Sequence, residues 1–291
     1  MVQKNLGKNL WELLSPVLVH GVVTFVVQMI IVGIYYVLHL EEIAALSGTQ
    51  EEVMNKAMEI LYGVLQYSVE IAGFSSLFAI PFLLHMMKKD KKREQIAGIV
   101  QNKKAPLSKY ILVAGISIPF ALGLNNLIIF LDLAKYSEAY QETAEVFYQP
   151  SFLTEVICLG IISPLVEELV FRGLVYNRMR RSVMGVNQAI ILSGLLFGFY
   201  HGNLVQAVYG SLSGILLAYL YEKYGSIKAP ILAHILMNIV ALTLTEANIF
   251  VWMFKDIMRM SVITILCAAA ASTIFLFIQK IEEKPLKNDG E

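Results

Sequence analysis

Long apolar segments alternate with short polar ones along the whole chain. A helix needs about 20 mostly apolar residues to cross the hydrocarbon core of a bilayer. Eight segments predict such helices: 16–38, 65–87, 110–131, 152–175, 187–202, 204–222, 227–247 and 260–279. The fifth is short, and only Asn203 separates it from the sixth. The pattern therefore predicts an all-α membrane protein, a polytopic bundle of about eight transmembrane helices.

The composition agrees with a membrane protein. Of 291 residues, 57% are hydrophobic and only 16% are charged, whereas soluble domains carry about 25% charged residues. The formal net charge is zero, so there is no basic excess of the kind that binds nucleic acid. Cys158 and Cys267 both lie inside apolar segments, which predicts buried free thiols and no disulfide framework.

The charge of the polar connections predicts the orientation of the helices. The connections at 88–109 and 176–186 are rich in Lys and Arg, whereas those at 40–64 and 132–150 are acidic. Lys and Arg mark the cytoplasmic side of a membrane protein. With eight spans, every basic connection is cytoplasmic when both termini are cytoplasmic. We therefore expect a multi-pass integral protein of the cell (plasma) membrane with both termini in the cytoplasm.

Ionisable and amide side chains inside the predicted spans are the first candidates for function, because polar groups are costly in hydrocarbon. They are His20, Glu70, Asn125, Asn126, Glu155, Glu167, Glu168, Arg172, His201, His234 and Asn238. Two of them, His20 and Glu70, are interpreted as bridges between helices rather than as catalytic groups.

The segment SPLVEELVFR concentrates three of these residues. Glu168 and Arg172 are four residues apart with the acid first, which favours an ion pair on one helix face. That pair is either a structural bridge or a support for a catalytic site. Glu167 lies about 100° around the helix from its neighbour, so it needs another partner. Pro164 removes a backbone hydrogen bond and can bend the helix, which would open space beside Glu167.

Two further segments carry histidines at helical spacing. In FGFYH, Phe197 and His201 share a helix face beside glycines at 194, 198 and 202, and this glycine spacing predicts close packing against another helix. In HILMN, His234 and Asn238 also share a face. Either histidine alone is most simply a structural hydrogen-bonding group. Together with Glu167 they supply a carboxylate base, two imidazoles and an amide donor, the groups of a hydrolytic site.

The depth of these groups can be compared along the helices. At 1.5 Å per residue, Glu167 lies about 12 Å and His234 about 10 Å from the predicted cytoplasmic ends of their spans. His201 would lie about 21 Å deep if its helix began at the membrane surface. The difference shrinks if the fourth helix continues into the cytoplasm through Tyr176–Arg181, which we therefore expect.

The three segments resemble a known family. EELVFR, FGFYH and HILMN match the motifs EExxxR, FxxxH and HxxxN, in that order, of the CAAX-protease and bacteriocin-processing family, also called the CPBP or Abi family. Type II CAAX prenyl endopeptidases belong to it. The resemblance covers about 152–245 and implies an intramembrane endopeptidase with an eight-helix core and a cavity open to the cytoplasm.

The resemblance also implies a role for each motif residue. Glu167 would be the general base that activates water, helped by His201. His234 and Asn238 would stabilise the oxyanion of the tetrahedral intermediate. The ion pair of the first motif would hold the geometry of the site.

The participation of a metal is left open by the sequence. Glu167, His201 and His234 could hold one divalent ion such as zinc, with water as a fourth ligand. Equally, Glu167 in an apolar cavity could activate water without a metal. The HExxH pattern of zincin proteases is not present in the sequence.

These observations divide the chain into three parts. Residues 1–151 form three N-terminal spans, 152–245 form the CPBP-like catalytic core, and 246–291 hold the last span and a polar tail. Residues 245–259 predict an interfacial helix with Trp252 at the headgroup level.

The leading hypothesis is an endopeptidase that cuts a peptide or membrane-protein substrate near the cytoplasmic face. The alternative is a catalytically silent scaffold or regulator of another membrane protein with the same fold. A transporter using a polar path is a third hypothesis, based on Glu70, Asn125, Asn126 and Glu155. By resemblance, prenylated proteins and leader peptides are candidate substrates, and no feature indicates an oligomeric state.

Overall fold

The computed structural model describes residues 6–44, 49–99, 102–137, 151–181 and 185–281. Within these ranges the chain is helical and contains no strand. Most of the predicted acidic connection, from residue 138 onward, and the predicted polar tail from residue 282 lie outside the described residues.

The described helices are numbered in chain order. They are α1 (Leu6–Leu38), α2 (Leu40–Ala44), α3 (Gln50–Leu65), α4 (Ser68–Leu77), α5 (Ile80–Ile96), α6 (Tyr110–Phe130), α7 (Phe152–Arg181, a continuous rod of α and π turns), α8 (Val186–Tyr200), α9 (Leu204–Tyr224), α10 (Lys228–Glu246), α11 (Ile249–Phe254) and α12 (Ile257–Gln279).

The polytopic all-α bundle predicted from hydropathy is confirmed. Six helical segments of the described chain are long and apolar enough to cross a bilayer: Leu10–Leu38, Ser68–Ile96, Leu107–Phe130, Leu204–Tyr224, Lys228–Glu246 and Ile257–Gln279. The predicted fifth span is the shorter apolar helix Val186–Tyr200. The predicted fourth span corresponds to α7, which carries the charged motif.

Two buried clusters organise the bundle. The first surrounds α7 and includes side chains from α5, α8 and α9, with α1 packed against its edge. The second lies between α6, α9, α10 and α12. Because α9 contributes to both clusters, it joins the two halves of the bundle.

Helices α8 and α9 approach each other backbone to backbone, as the glycine spacing predicts. A Cβ atom added at Gly210 would lie 2.9 Å from Cα of Gly198, and one added at Gly214 would lie 2.9 Å from Cα of Gly194. Gly202 is not part of this stripe. It has φ of +74° in the turn after α8, a conformation that glycine adopts without strain.

Helix α7 contains two π-helical segments, Val156–Ile162 and Phe171–Tyr176. The α-helical turns between them carry Glu167 and Glu168. The disruption predicted at Pro164 takes the form of π turns directly before it rather than a break in the helix. Such turns widen a helix locally and occur often at functional sites.

The helix continues through Arg181, as expected from the depth comparison. Ion pairs fix this end: Arg178 Nε lies 2.6 Å from Asp90 Oδ2, and Arg180 Nη2 lies 2.8 Å from Glu222 Oε1. The arginines that indicate the cytoplasmic side therefore also anchor α7 to α5 and α9. Where this end lies relative to the bilayer stays a prediction.

The short helix α11 falls within the region predicted to be interfacial. Trp252 is half-exposed, and the guanidinium of Arg259 lies 4.0 Å from the centre of its ring. The separate helix is shorter than the predicted 245–259, and its placement at the headgroups stays a prediction.

Candidate active site

Helices α7, α8 and α10 carry the residues of the three motifs. Glu167 and Glu168 lie on the central turns of α7, His201 caps the end of α8, and His234 and Asn238 lie on α10. The fold brings α7 and α10 into direct side-chain contact at this point.

Glu168 forms the centre of a buried ion-pair network. Its Oε1 atom accepts a hydrogen bond of 2.6 Å from Nη1 of Arg172, and both side chains are fully buried. The ion pair predicted from the spacing is confirmed. The same oxygen lies 2.9 Å from Nδ1 of His234, a contact that the spacing within one helix does not predict.

Arg172 extends this network to two more helices. Its Nη2 donates to the carbonyl oxygen of Gly214 on α9 at 2.9 Å. The guanidinium carbon lies 4.6 Å from the centre of the Phe197 ring on α8, within the range of a cation–π interaction. One buried arginine therefore ties α7, α8 and α9 together, and Glu168 adds α10.

Glu167 faces His234 rather than the arginine, as the helical geometry predicts. Its Oε2 lies 3.7 Å from Nε2 of His234, and 17% of its side chain is exposed. Since Nδ1 of His234 faces the Glu168 carboxylate, Nδ1 carries a proton, and in the neutral ring Nε2 is an acceptor. At 3.7 Å these two atoms are too far apart for a direct hydrogen bond.

His201 is joined to the cluster through Phe197. Nδ1 of His201 lies 2.9 Å from the carbonyl oxygen of Phe197, so it donates and leaves Nε2 as an acceptor. The Phe197 ring makes edge-to-face contacts with His201, at 5.0 Å between centroids, and with His234, at 5.5 Å. Both imidazoles thus pack against the same ring, while no direct His201–Glu167 contact is formed.

Asn238 directs its amide toward α7. Its Nδ2 donates to the carbonyl oxygen of Leu159, within the first π segment, at 2.9 Å. One amide hydrogen is used there, and the second stays available for a ligand. The resemblance implies that Asn238 stabilises an oxyanion, and this second amide hydrogen is the one that would do so. That role stays a prediction.

Two further polar residues, His20 and Tyr200, lie near the motif residues, since the Tyr200 ring contacts that of His201. His20 of α1 forms a 2.9 Å hydrogen bond through Nδ1 with the hydroxyl of Tyr200 on α8, which confirms that His20 bridges helices. Sequence reasoning missed Tyr200, whose only signal is its position next to His201.

The candidate metal ligands Glu167, His201 and His234 do not form a complete metal site. A catalytic zinc takes three protein ligands, with Zn–N and Zn–O distances of about 2.0–2.2 Å. Within the described chain no three His, Cys, Asp or Glu side chains are grouped closely enough to hold a metal ion. Glu167 and His234 could supply two ligands, while His201 does not reach them in this arrangement.

Comparison with known proteins confirms the resemblance to the CPBP family. Residues 149–240 match the family described as Type II CAAX prenyl endopeptidase Rce1-like. Over 83 residues the chain is 29% identical to the Bacillus subtilis (strain 168) protein named "Putative membrane peptidase YdiL". That similarity covers 28% of this chain and 34% of the relative, so it spans about a third of the relative's length. No solved structure matches the chain.

The range that matches the family, residues 149–240, contains all three motifs in full. Residues 149–240 are therefore similar to a family of CAAX endopeptidases, and part of the chain is similar to a protein named as a membrane peptidase. The division into 1–151, 152–245 and 246–291 and the role of each site residue stay predictions.

Proposed function

We propose that this protein is an intramembrane endopeptidase that hydrolyses a peptide bond of a membrane-associated substrate near the cytoplasmic face. The observation that carries the proposal is the contact of Glu167 with His234, whose other ring nitrogen is held by the buried Glu168–Arg172 pair. This contact lies within the part of the chain that matches prenyl endopeptidases.

In the proposed reaction, Glu167 takes a proton from a water molecule as the water oxygen attacks the carbonyl carbon of the scissile bond. Nε2 of His201, an acceptor in its present tautomer, is suited to orient that water. The carbonyl oxygen becomes an oxyanion, which the second amide hydrogen of Asn238 can stabilise. His234 can add to this only when its Nε2 also carries a proton.

The proton held by Glu167 then passes to the departing nitrogen. The C–N bond breaks, and the products are a carboxylic acid and an amine, so one water is consumed for each bond cut. Glu168 and Arg172 do not touch the reacting atoms in this scheme. They position His234 and hold its Nδ1 proton.

Cleavage by the purified protein in liposomes tests the proposal. The substrates are a farnesylated CAAX peptide and a library of membrane peptides, and wild type is compared with Glu167→Ala. The matched control is Glu70→Ala, which removes another acidic side chain of a membrane-spanning segment. The proposal requires that Glu167→Ala abolishes cleavage and that Glu70→Ala does not.

Each reaction is repeated with a strong chelator. Loss of cleavage that added zinc restores would establish a metal-dependent enzyme, and unchanged cleavage would establish the glutamate mechanism without metal. If wild type and Glu167→Ala are both silent on every peptide, the scaffold or regulator hypothesis replaces the protease.

For location, we infer a cell-membrane protein with both termini in the cytoplasm. The basic connections support this orientation under the positive-inside rule. The arginines at 178, 180 and 181 and the acidic groups that bind them lie together at one end of the bundle, which is consistent with a single aqueous face there.

A further inference from the structure

The N-terminal helix brings an unusual polar group to the candidate active site. His20 lies in the middle of the apolar helix α1 and is only 8% exposed. Its Nδ1 bonds the Tyr200 hydroxyl at 2.9 Å, but its Nε2 is buried and has no hydrogen-bond partner among the described residues. The hydrogen bond between α1 and α8 therefore satisfies Nδ1 of His20, whereas Nε2 has no partner among the described residues.

Thr24, on the same face of α1, also has a buried polar atom without a hydrogen-bond partner among the described residues. Thr24 follows His20 by four residues, so the two side chains point in one direction. The Thr24 hydroxyl oxygen is also buried without a partner within the described chain. Buried polar groups are nearly always hydrogen-bonded, and hydrocarbon supplies no water to satisfy them. Two neighbouring unsatisfied groups point to a ligand.

Ring contacts of Tyr200 connect these groups to the candidate active site. The Tyr200 ring contacts His201, at 5.9 Å between centroids, and Phe171 of α7, at 5.4 Å. Through Tyr200, His20 is therefore linked to the helices that carry His201 and Glu167.

The chemistry of the groups suits a peptide backbone. When the Tyr200 hydroxyl donates to Nδ1 of His20, Nε2 carries the ring proton and becomes a donor. A peptide carbonyl oxygen is its natural acceptor, and the Thr24 hydroxyl can either donate or accept. A helical substrate must unwind before it is cut, and its freed backbone groups then need partners inside the membrane.

We propose that His20 and Thr24, positioned by Tyr200, form a subsite that hydrogen-bonds the backbone of the substrate next to the scissile bond. This proposal rests on the proposed peptidase function. It assigns α1, which lies outside the part of the chain that matches the family, a direct role in holding the substrate.

Binding and kinetics of a farnesylated CAAX peptide test the subsite. The peptide is titrated against Glu167→Gln protein in nanodiscs, with and without His20→Phe, Thr24→Val or Tyr200→Phe. Loss of one hydrogen bond of about 1 kcal/mol should raise Kd about 5- to 10-fold in each case. The control is His39→Phe, directly after the same helix, since His39 bonds the Tyr35 carbonyl instead; it should leave Kd unchanged.

A chemical change in the peptide separates binding from a structural effect. Replacing single backbone amides by esters weakens the carbonyl acceptor one position at a time. One such ester peptide should bind protein with His20 more weakly than the all-amide peptide does. It should bind His20→Phe as tightly as the all-amide peptide does. Should His20→Phe fail to fold, as judged by elution and thermal melting, Tyr200→Phe removes only one hydroxyl and serves in its place.

The outcomes separate this proposal from the function on which it rests. Cleavage by Glu167→Ala at the wild-type rate would overturn the peptidase site itself. If Glu167→Ala is inactive but no variant of the subsite changes Kd or kcat/KM, only the subsite is wrong. The same holds if His20→Phe weakens every ester and amide peptide equally.

Discussion

Nδ1 of His234 lies 2.9 Å from Oε1 of Glu168, the same oxygen that accepts a hydrogen bond from Arg172. This contact fixes which ring nitrogen of His234 faces Glu167. An imidazole held through one nitrogen by a carboxylate keeps its tautomer and its orientation. Glu168 thus acts on Glu167 through His234, which lies 66 residues after Glu168 in the chain.

Arg172 should be the most sensitive position of the core. Arg172→Met leaves the fully buried Glu168 without its charged partner, which costs about 3–5 kcal/mol in free energy of unfolding. Denaturant unfolding in detergent measures the change. The control is Arg259→Met, whose stacking on Trp252 lies at an exposed site and should contribute less than about 1 kcal/mol. Equal effects of the two substitutions would contradict the network.

The close approach of α8 and α9 predicts that Gly198 tolerates no side chain. Its added Cβ would collide with the backbone of α9 at Ala207 and Ser211, so Gly198→Ala should cost about 1–3 kcal/mol through overpacking. Thermal unfolding of the purified protein measures the loss. Gly21→Ala is the matched control, because nothing lies within 4 Å of its Cβ position. It should be neutral or slightly stabilising, and similar losses in both variants would argue against close helix packing.

Phe197 should control catalysis without touching the reacting atoms. Its ring contacts His201, His234 and the guanidinium of Arg172. Phe197→Leu keeps the site apolar but removes the flat surface that places both imidazoles, so kcat should fall about 10- to 100-fold. Phe199→Leu, on the same helix at an exposed position, should leave kcat unchanged. A wild-type kcat for Phe197→Leu would show that the ring does not position the site.

The orientation in the membrane can be tested with single cysteines. Both native cysteines are buried, so background labelling by a membrane-impermeant maleimide on intact cells should be low. Glu51→Cys, in an acidic connection, should react from outside. Lys91→Cys, in a basic connection, should react only after the membrane is permeabilised. The reverse pattern would place both termini outside.

Local periodicity was sufficient to predict several features of the site. The four-residue spacing predicted the Glu168–Arg172 ion pair and indicated that Glu167 has a different partner. The glycine spacing predicted the contact of α8 with α9. Each of these follows from helical geometry, because residues that are four apart lie on one face. The bundle itself followed from the length of the apolar segments.

Contacts between distant parts of the chain could not be predicted in the same way. The bonds from Arg172 to Gly214 and from Asn238 to Leu159 depend on how the helices pack. The π segments of α7 were not predicted from the sequence either. The pairing of His20 with Tyr200, 180 residues apart, carries no local signal at all.

Cleavage of a farnesylated CAAX peptide in proteoliposomes by wild type, Glu167→Gln and Glu168→Gln tests the central claim most directly. Both variants keep the shape of the side chain and remove its charge. A general base contributes about 10²- to 10⁴-fold to the rate, so Glu167→Gln should lose at least that much. Glu168→Gln weakens the hold on His234 and leaves the buried charge of Arg172 unpaired, so it should lower the stability of the protein but reduce the rate of the folded enzyme less. Wild-type cleavage by Glu167→Gln would contradict the account, because the water would then be activated elsewhere.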